Sequence, residues 1–235
     1  MQTPNASPIG IVGDGRVARH FVHYLTLLGV PIRTWSRRKP GSGPVDALAD
    51  CARVLVLIRD AAIVPLLGEW PALKGKHPIH FSGNLTTTAA YAAHPLMTFA
   101  GRLYDLETYR AIPFVIDKDG PPFDELLPGL PNPSFAIAPA DRSYYHAMCV
   151  LAGNGSTLLW GKLFDAFRNR LGIPASAAHP FLKQVAANLL VDPVNALTGP
   201  LSRADAGTIE SNLTALDGDP FRDVYVALVK AHERR

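Results

Sequence analysis

Hydrophobic positions along this chain switch between two periods. Ile9 to Val12 form a continuous apolar run, long enough for one buried strand. From Val17 the spacing changes: Val17, Ala18, Phe21, Val22, Leu25 and Leu28 fall on one helical face, which Gly29 ends. Further strands are expected at Pro31–Trp35, Arg53–Ile58, Pro78–Phe81, Ile112–Ile116 and Phe135–Ala138. The apolar segment within His94–Phe99 is a candidate for another. Arg53–Ile58 is apolar after its first residue, as a central parallel strand covered on both faces requires. Short helices are expected at Val45–Ala49 and Ala61–Leu67, and one more with loops in the proline-rich stretch Pro121–Pro133. Strands alternating with short helices predict an α/β fold with a twisted, mostly parallel sheet.

From about Asp141 strand signals stop and helical periodicity takes over. Asp141–Leu171 reads as one long helix or two joined helices, stopped by Gly172-Ile173-Pro174. Helices follow at Ala177–Leu190, Arg203–Leu216 and Pro220–Glu233. Two domains are therefore expected: a sheet domain over residues 1–140 and an all-helical C-terminal domain over 141–235. Gly153-Asn154-Gly155 lies in the middle of the long helix. Each glycine costs a helix about 1 kcal/mol relative to alanine, so the pair suggests either close approach of backbone or ligand, or a helix–helix contact.

The most informative punctuation is Gly13-Asp14-Gly15-Arg16-Val17-Ala18. The spacing G-x-G-x-x-A follows a strand and opens a helix, the context that the dinucleotide fingerprint requires. Gly13 permits the tight turn, Gly15 lets the backbone approach a pyrophosphate, and Ala18 lets the helix pack closely on the strand. The helix start offers free N–H groups and a positive dipole end to phosphates. The same glycines would also serve a turn built for packing alone. Asp14 would repel phosphate if it faced inward; it can instead face solvent or cap the helix, and Arg16 can offset it.

At the end of the second strand an NAD site places an acid, about 20 residues beyond the glycines. Here the chain reads Ser36-Arg37-Arg38-Lys39. A hydroxyl and guanidinium forks suit a 2′-phosphate, so NADP is the expected cofactor, although a solvated basic loop would read the same way. Arg59 and Asp60 end the third strand; both are candidates for the cofactor site, and Asp60 can cap the next helix. Ser82, Gly83 and Asn84 end the fourth strand, where ligands bind in open α/β sheets. Ser82 and Gly83 are expected at the cofactor, with Ser82 and Asn84 near the nicotinamide or substrate, although an ordinary turn explains them too.

Composition narrows the classes. Among 235 residues 48% are apolar, enough for a packed core, and the net charge of +3 is too small and scattered for a nucleic-acid footprint. No apolar run approaches the ~20 residues that span a membrane. Met1–Pro8 is polar and lacks a signal core, so a cytoplasmic location is expected. Cys51 and Cys149 read as two buried, reduced thiols. His20-x-x-His23 and His77-x-x-His80 lack the carboxylate and His partners of a metal site, so no metal is expected.

With these pieces the chain resembles bacterial Rossmann-like proteins with a helical C-terminal domain of unknown function, relatives of pyrroline-5-carboxylate reductase and the β-hydroxyacid dehydrogenases. The resemblance is carried by the glycine motif, His80-Phe81-Ser82-Gly83, His94–Phe99, Tyr145-His146-Ala147 with Asn154, and Leu197-Thr198-Gly199-Pro200 with Arg203. It implies an N-terminal NADP domain, a helical domain that completes the cleft, and a homodimer through that helical domain. β-Hydroxyacid dehydrogenases use a lysine four residues before an Asn; here no lysine stands beside Asn154, and Lys162 and Lys183 lie elsewhere.

The expected activity is hydride transfer between NADP and a small carbonyl or imine metabolite. His94 or His146 can donate a proton near neutral pH. Ser82, Asn154 and Thr198 can orient substrate, and Arg203 adds a guanidinium beside Thr198 at a helix start, a plausible anion grip or simply a capped turn. The alternative is a non-catalytic NADP-binding sensor that kept the fold, an option the missing lysine favours. A deazaflavin partner rests on fold analogy alone.

Overall fold

The computed structural model describes residues 7–38 and 41–234. Lys39 and Pro40 of the expected basic turn, and most of the polar N-terminal segment, lie outside the described residues. By contact density the chain divides into two compact units, Met1–Ser156 and Thr157–Arg235.

The first unit is built on seven strands: β1 (Ile9–Val12), β2 (Ile32–Trp35), β3 (Arg53–Val56), β4 (Pro78–His80), β5 (Tyr91–Pro95), β6 (Phe114–Asp117) and β7 (Ser134–Ile137). They form one sheet in the order β2-β1-β3-β4-β5-β6-β7. All neighbours pair in parallel except β5 and β6, which pair antiparallel with His94 opposite Val115. The helices of this unit are α1 (Arg16–Leu27), α2 (Pro44–Ala47), α3 (Asp60–Glu69), α4 (Leu106–Arg110), α5 (Phe123–Leu126) and α6 (Arg142–Val150). This is the doubly wound arrangement that the alternation of periods predicts.

Side chains alternate across the strands, so the sheet has two cores. Ile9, Ile11, Leu55, Ile79 and Phe114 point to one face, where they pack with Phe21, Tyr24 and Leu25 of α1. Val12, Val54 and Val56 point to the other, against Ile63, Leu66 and Leu67 of α3. On the first face α1 is pinned by buried polar contacts. Tyr24 donates to Asn132 Oδ1 (2.6 Å), Asn132 donates to the carbonyls of Tyr109 and Ile112, and His20 Nδ1 meets the Tyr109 hydroxyl (2.9 Å).

One expected strand moves. The segment His94–Phe99 is strand only through Pro95; the strand begins earlier, at Tyr91. Pro95 brings no N–H to the ladder. Beyond it the chain turns, with Leu96 N donating to Pro113 O and Met97 N to Pro95 O.

The region from Arg142 to Leu171 is helical, but not uniformly α. A π-helical turn occupies Leu151–Gly155 and a second one Phe167–Leu171, flanking α7 (Ser156–Ala166). Gly153-Asn154-Gly155 therefore sits in the first widened turn, where Ser156 Oγ donates to the carbonyls of Ala152 and Gly153. Among the described residues outside its own helical turn, nothing lies within 4 Å of a Cβ placed on Gly153.

The second unit adds α8 (His179–Val191), α9 (Ala206–Ala215) and α10 (Phe221–Glu233). Lys162 is bonded to Asp219 and lies over the Phe221 ring. Among the described residues no helix is long and apolar enough to cross a membrane.

Candidate functional site

The switch point of the sheet lies between β1 and β3, since the chain crosses to β2 on one side and returns to β3 and β4 on the other. A cavity of about 450 Å³ opens at the ends of these strands, lined by residues 13–17 after β1, 56–60 after β3, and by Phe81 and Ser82 after β4. Gly13 takes φ +126°, and its N–H donates to Trp35 O (2.8 Å). Gly15 is the N-cap of α1, with no side chain bonded to the helix's free N–H groups. These donors face the cavity uncapped, which is the cradle that a pyrophosphate fits.

The charged residues at this cavity sort differently from the sequence expectation. Asp14 does not cap α1; its carboxylate meets Arg38 at 3.9 Å, so Arg38 rather than Arg16 is its recorded ionic partner. Arg16, Val17, Arg38 and Arg59 line the cavity. Arg37 turns away and pairs with Glu69 at 2.6 Å. Ser36 is buried, and its hydroxyl has no hydrogen-bond partner among the described residues. Ala18 is buried in the core beneath α1. Asp60 is not the cap of α3, because the helix starts at Asp60 itself. Instead Asp60 accepts from the Ser82 hydroxyl at 2.5 Å. That hydroxyl also accepts from Asn84 N (3.2 Å) and Leu85 N (2.9 Å), which engages its proton and both lone pairs. Ser82 is thus a clasp that shapes the exit of β4.

A second and larger cavity, about 1150 Å³, lies in the same unit between the end of β5 and α6. His94, Tyr145, His146 and Asn154 line it with Leu96, Met97, Phe99, Tyr144 and Met148. Gly83 brings the two cavities together. A Cβ there would stand 2.3 Å from His146 Cδ2 and 3.1 Å from His94 Nε2, so only glycine lets both imidazoles close on the β4 exit beside Ser82. Asn84 is exposed. Thr198 and Arg203 belong to the helical unit, where Thr198 lines a hollow with Asn188 and Asn195.

Tyr145 is the functional candidate that the apolar pattern hid, since it reads as one more position on a helical face. Its hydroxyl and His94 Nδ1 are 2.7 Å apart. Burial, with smaller contributions from His146 and Arg142, lowers the His94 pKa to about 4, and burial raises that of Tyr145. Near neutral pH the pair is a protonated phenol and a neutral imidazole. A phenolic proton on Tyr145 thus stands beside His94, one of the two histidines expected to donate.

Beneath them Arg142 is fully buried, with Nε and Nη2 both on Asp117 Oδ1 (2.8 and 2.6 Å) and Nη1 without a partner. His80 shares this environment. Burial first, and Arg142 second, hold its pKa at about 4 against an ordinary 6.5. The unfolded chain therefore binds protons before the folded one as pH falls. The stability held by a neutral His80 is complete above pH 6.5 and is lost toward pH 4, a difference of about 3 kcal/mol for a shift of this size. Urea unfolding between pH 7 and 4.5 should show this loss, and His80→Leu should reduce the slope without abolishing it, because His94 is shifted in the same direction. An unchanged slope in the variant would remove His80 as its source.

Residues 117–232 match the family described as a domain of unknown function, DUF2520. Among solved structures, a Bacteroides fragilis protein provisionally assigned as an NADP oxidoreductase is similar at 20% identity with a TM-score of 0.76, covering 97% of this chain and 98% of that one. A reductive aminase from Aspergillus terreus, in complex with NADPH and ethyl levulinate, is similar at 15% identity and TM-score 0.62, covering 98% and 93%. Pyrroline carboxylate reductase from Plasmodium falciparum with NADP bound aligns at 13% identity and TM-score 0.59, covering 96% and 95%. No curated protein matches the chain. At these identities the likeness is one of fold: a Rossmann-like sheet followed by a helical region.

Proposed function

We propose that this chain, which carries the DUF2520 domain over residues 117–232 and shares its fold with NADP-binding reductases, is an NADPH-dependent reductase of a small carbonyl or imine. The observation that carries this reading is the first cavity. An uncapped helix start, a glycine turn and Arg38 meet there at the switch point of the sheet. The free N–H groups of α1 would hold the pyrophosphate, and Arg38 would grip the 2′-phosphate. NADPH, if bound, would supply the hydride. Tyr145 holds the proton that a carbonyl oxygen takes on reduction. In the tautomer with Nδ1–H, His94 donates to the Tyr145 oxygen, which holds the phenol in place and leaves its one proton free to turn to a substrate. His146, held against Gly83, borders the reacting position. The helical unit is assigned to a homodimer: Leu190, Val191 and Val194 expose more than four-fifths of their surface, more apolar area than a lone helix end needs.

The test is NADPH oxidation by the full chain over a panel of ketones, keto acids and ketone–amine mixtures. Turnover of a panel member supports the reading. NADPH binding without turnover across the panel would leave a nucleotide-binding protein without this chemistry. Arg38→Ala should weaken NADPH by about 10- to 100-fold, the worth of a charge-assisted hydrogen bond, and leave NADH unchanged. Arg37→Ala should change neither, because Arg37 is engaged by Glu69.

A further inference from the structure

The second cavity differs in charge from the first. Three arginines line the nucleotide cavity. No lysine or arginine lines the second one; apart from two histidines, its ionisable groups are the carboxyl of Asp141, two phenols and the Cys149 thiol. Arg142 is the cation next to it in sequence and in space, but its guanidinium is fully buried and turned onto Asp117. It exposes no surface to a ligand, and its Nε and Nη2 are held by Asp117. His94 is uncharged near neutral pH. The remaining wall is apolar and exposed: Leu96, Met97, Tyr144 and Met148 are among the large hydrophobic side chains that this unit leaves open to solvent.

We infer that this cavity takes an apolar imine that carries no carboxylate, received as the iminium cation. A carboxylate placed here would find no counter-ion and would face Asp141, and an uncompensated charge against an apolar wall is strongly disfavoured. An iminium gains from the same features. Asp141 is of opposite sign, and the exposed Tyr144 ring on the same wall is a side chain that a cation can approach. The volume of about 1150 Å³ admits a bicyclic ligand. The substrate class deepens the reductase reading and rests on it for its chemistry, whereas charge selection is a property of the cavity and is measured without nucleotide.

Binding of dihydroisoquinoline and of its ring carboxylate to the full chain, followed by calorimetry without NADPH, tests the inference. The uncarboxylated imine should bind at least about tenfold tighter. Met97→Arg and Tyr144→Arg place a cation on exposed positions of the wall, where folding is not at stake, and should shrink or reverse the preference. Equal binding, tighter binding of the acid, or binding of neither compound would overturn the inference. A preserved preference in a protein that never oxidises NADPH would sink the reductase reading while leaving the charge selection standing.

Discussion

Gly13→Ala is expected to abolish NADPH binding and to cost the fold about 3 kcal/mol or more, from backbone strain together with an unrelieved clash. Gly13 holds φ +126°, a conformation that side chains rarely adopt. A Cβ there would lie 2.3 Å from the carbonyl oxygen of Leu57 and 3.0 Å from its carbon. Neither side can move away. Gly13 N is bonded to Trp35 O on β2, and Leu57 N is bonded to Val12 O on β1. The clash is thus between backbones of strands already locked together, at the point where the nucleotide enters. Gly15→Ala separates the two effects. Gly15 has an ordinary φ of −71° and open space around it. Its replacement should leave the urea midpoint nearly unchanged and weaken NADPH alone, because the added methyl group stands where the pyrophosphate approaches. Equal loss of stability in both variants would show that the turn serves packing rather than the nucleotide.

The second large effect is expected at Asp117. Asp117→Ala removes the carboxylate that pairs with the fully buried Arg142 guanidinium, and breaking a buried pair in this way costs about 3–5 kcal/mol. The loss should extend beyond stability. Arg142 begins α6, the helix that holds Tyr145 against His94 and His146 against Gly83. Loosening its first turn should reduce turnover more than it weakens NADPH, whose proposed site is the other cavity. The double variant Asp117→Leu with Arg142→Met replaces the pair by apolar groups and should recover most of the stability. Chemical denaturation of the single and double variants measures both. A single variant as stable as the parent would mean that the pair contributes nothing.

Much of the scaffold was legible in the chain. Ile9–Val12, the glycine turn and the helix after it are consecutive in sequence, so local pattern reports them faithfully. β1 appears with its expected ends, and β3 and β4 within one or two residues. Legibility failed where tertiary partners decide. Tyr91-Ala92-Ala93 has one bulky side chain followed by two alanines, and its strand is supplied by pairing with β4 and β6 on either side. The direction of β6 is set by the returning segment through α4, which has no signature of its own. The basic cluster was recognised as a whole, but only Glu69 on α3 decides that Arg37 turns away while Arg38 meets the cavity. Tyr145 and Arg142 were hidden for a related reason: their partners His94 and Asp117 lie 51 and 25 residues away. A polar strand end at Asp117 followed by an arginine opening a helix was the one available signal for that pair.

The most direct test of the account is a fluorescence titration of the full chain with NADPH and, separately, with NADH. The account predicts saturable binding of NADPH, with NADH weaker by about tenfold or more because it lacks the phosphate that Arg38 grips. Binding of neither nucleotide, or a preference for NADH, would contradict it.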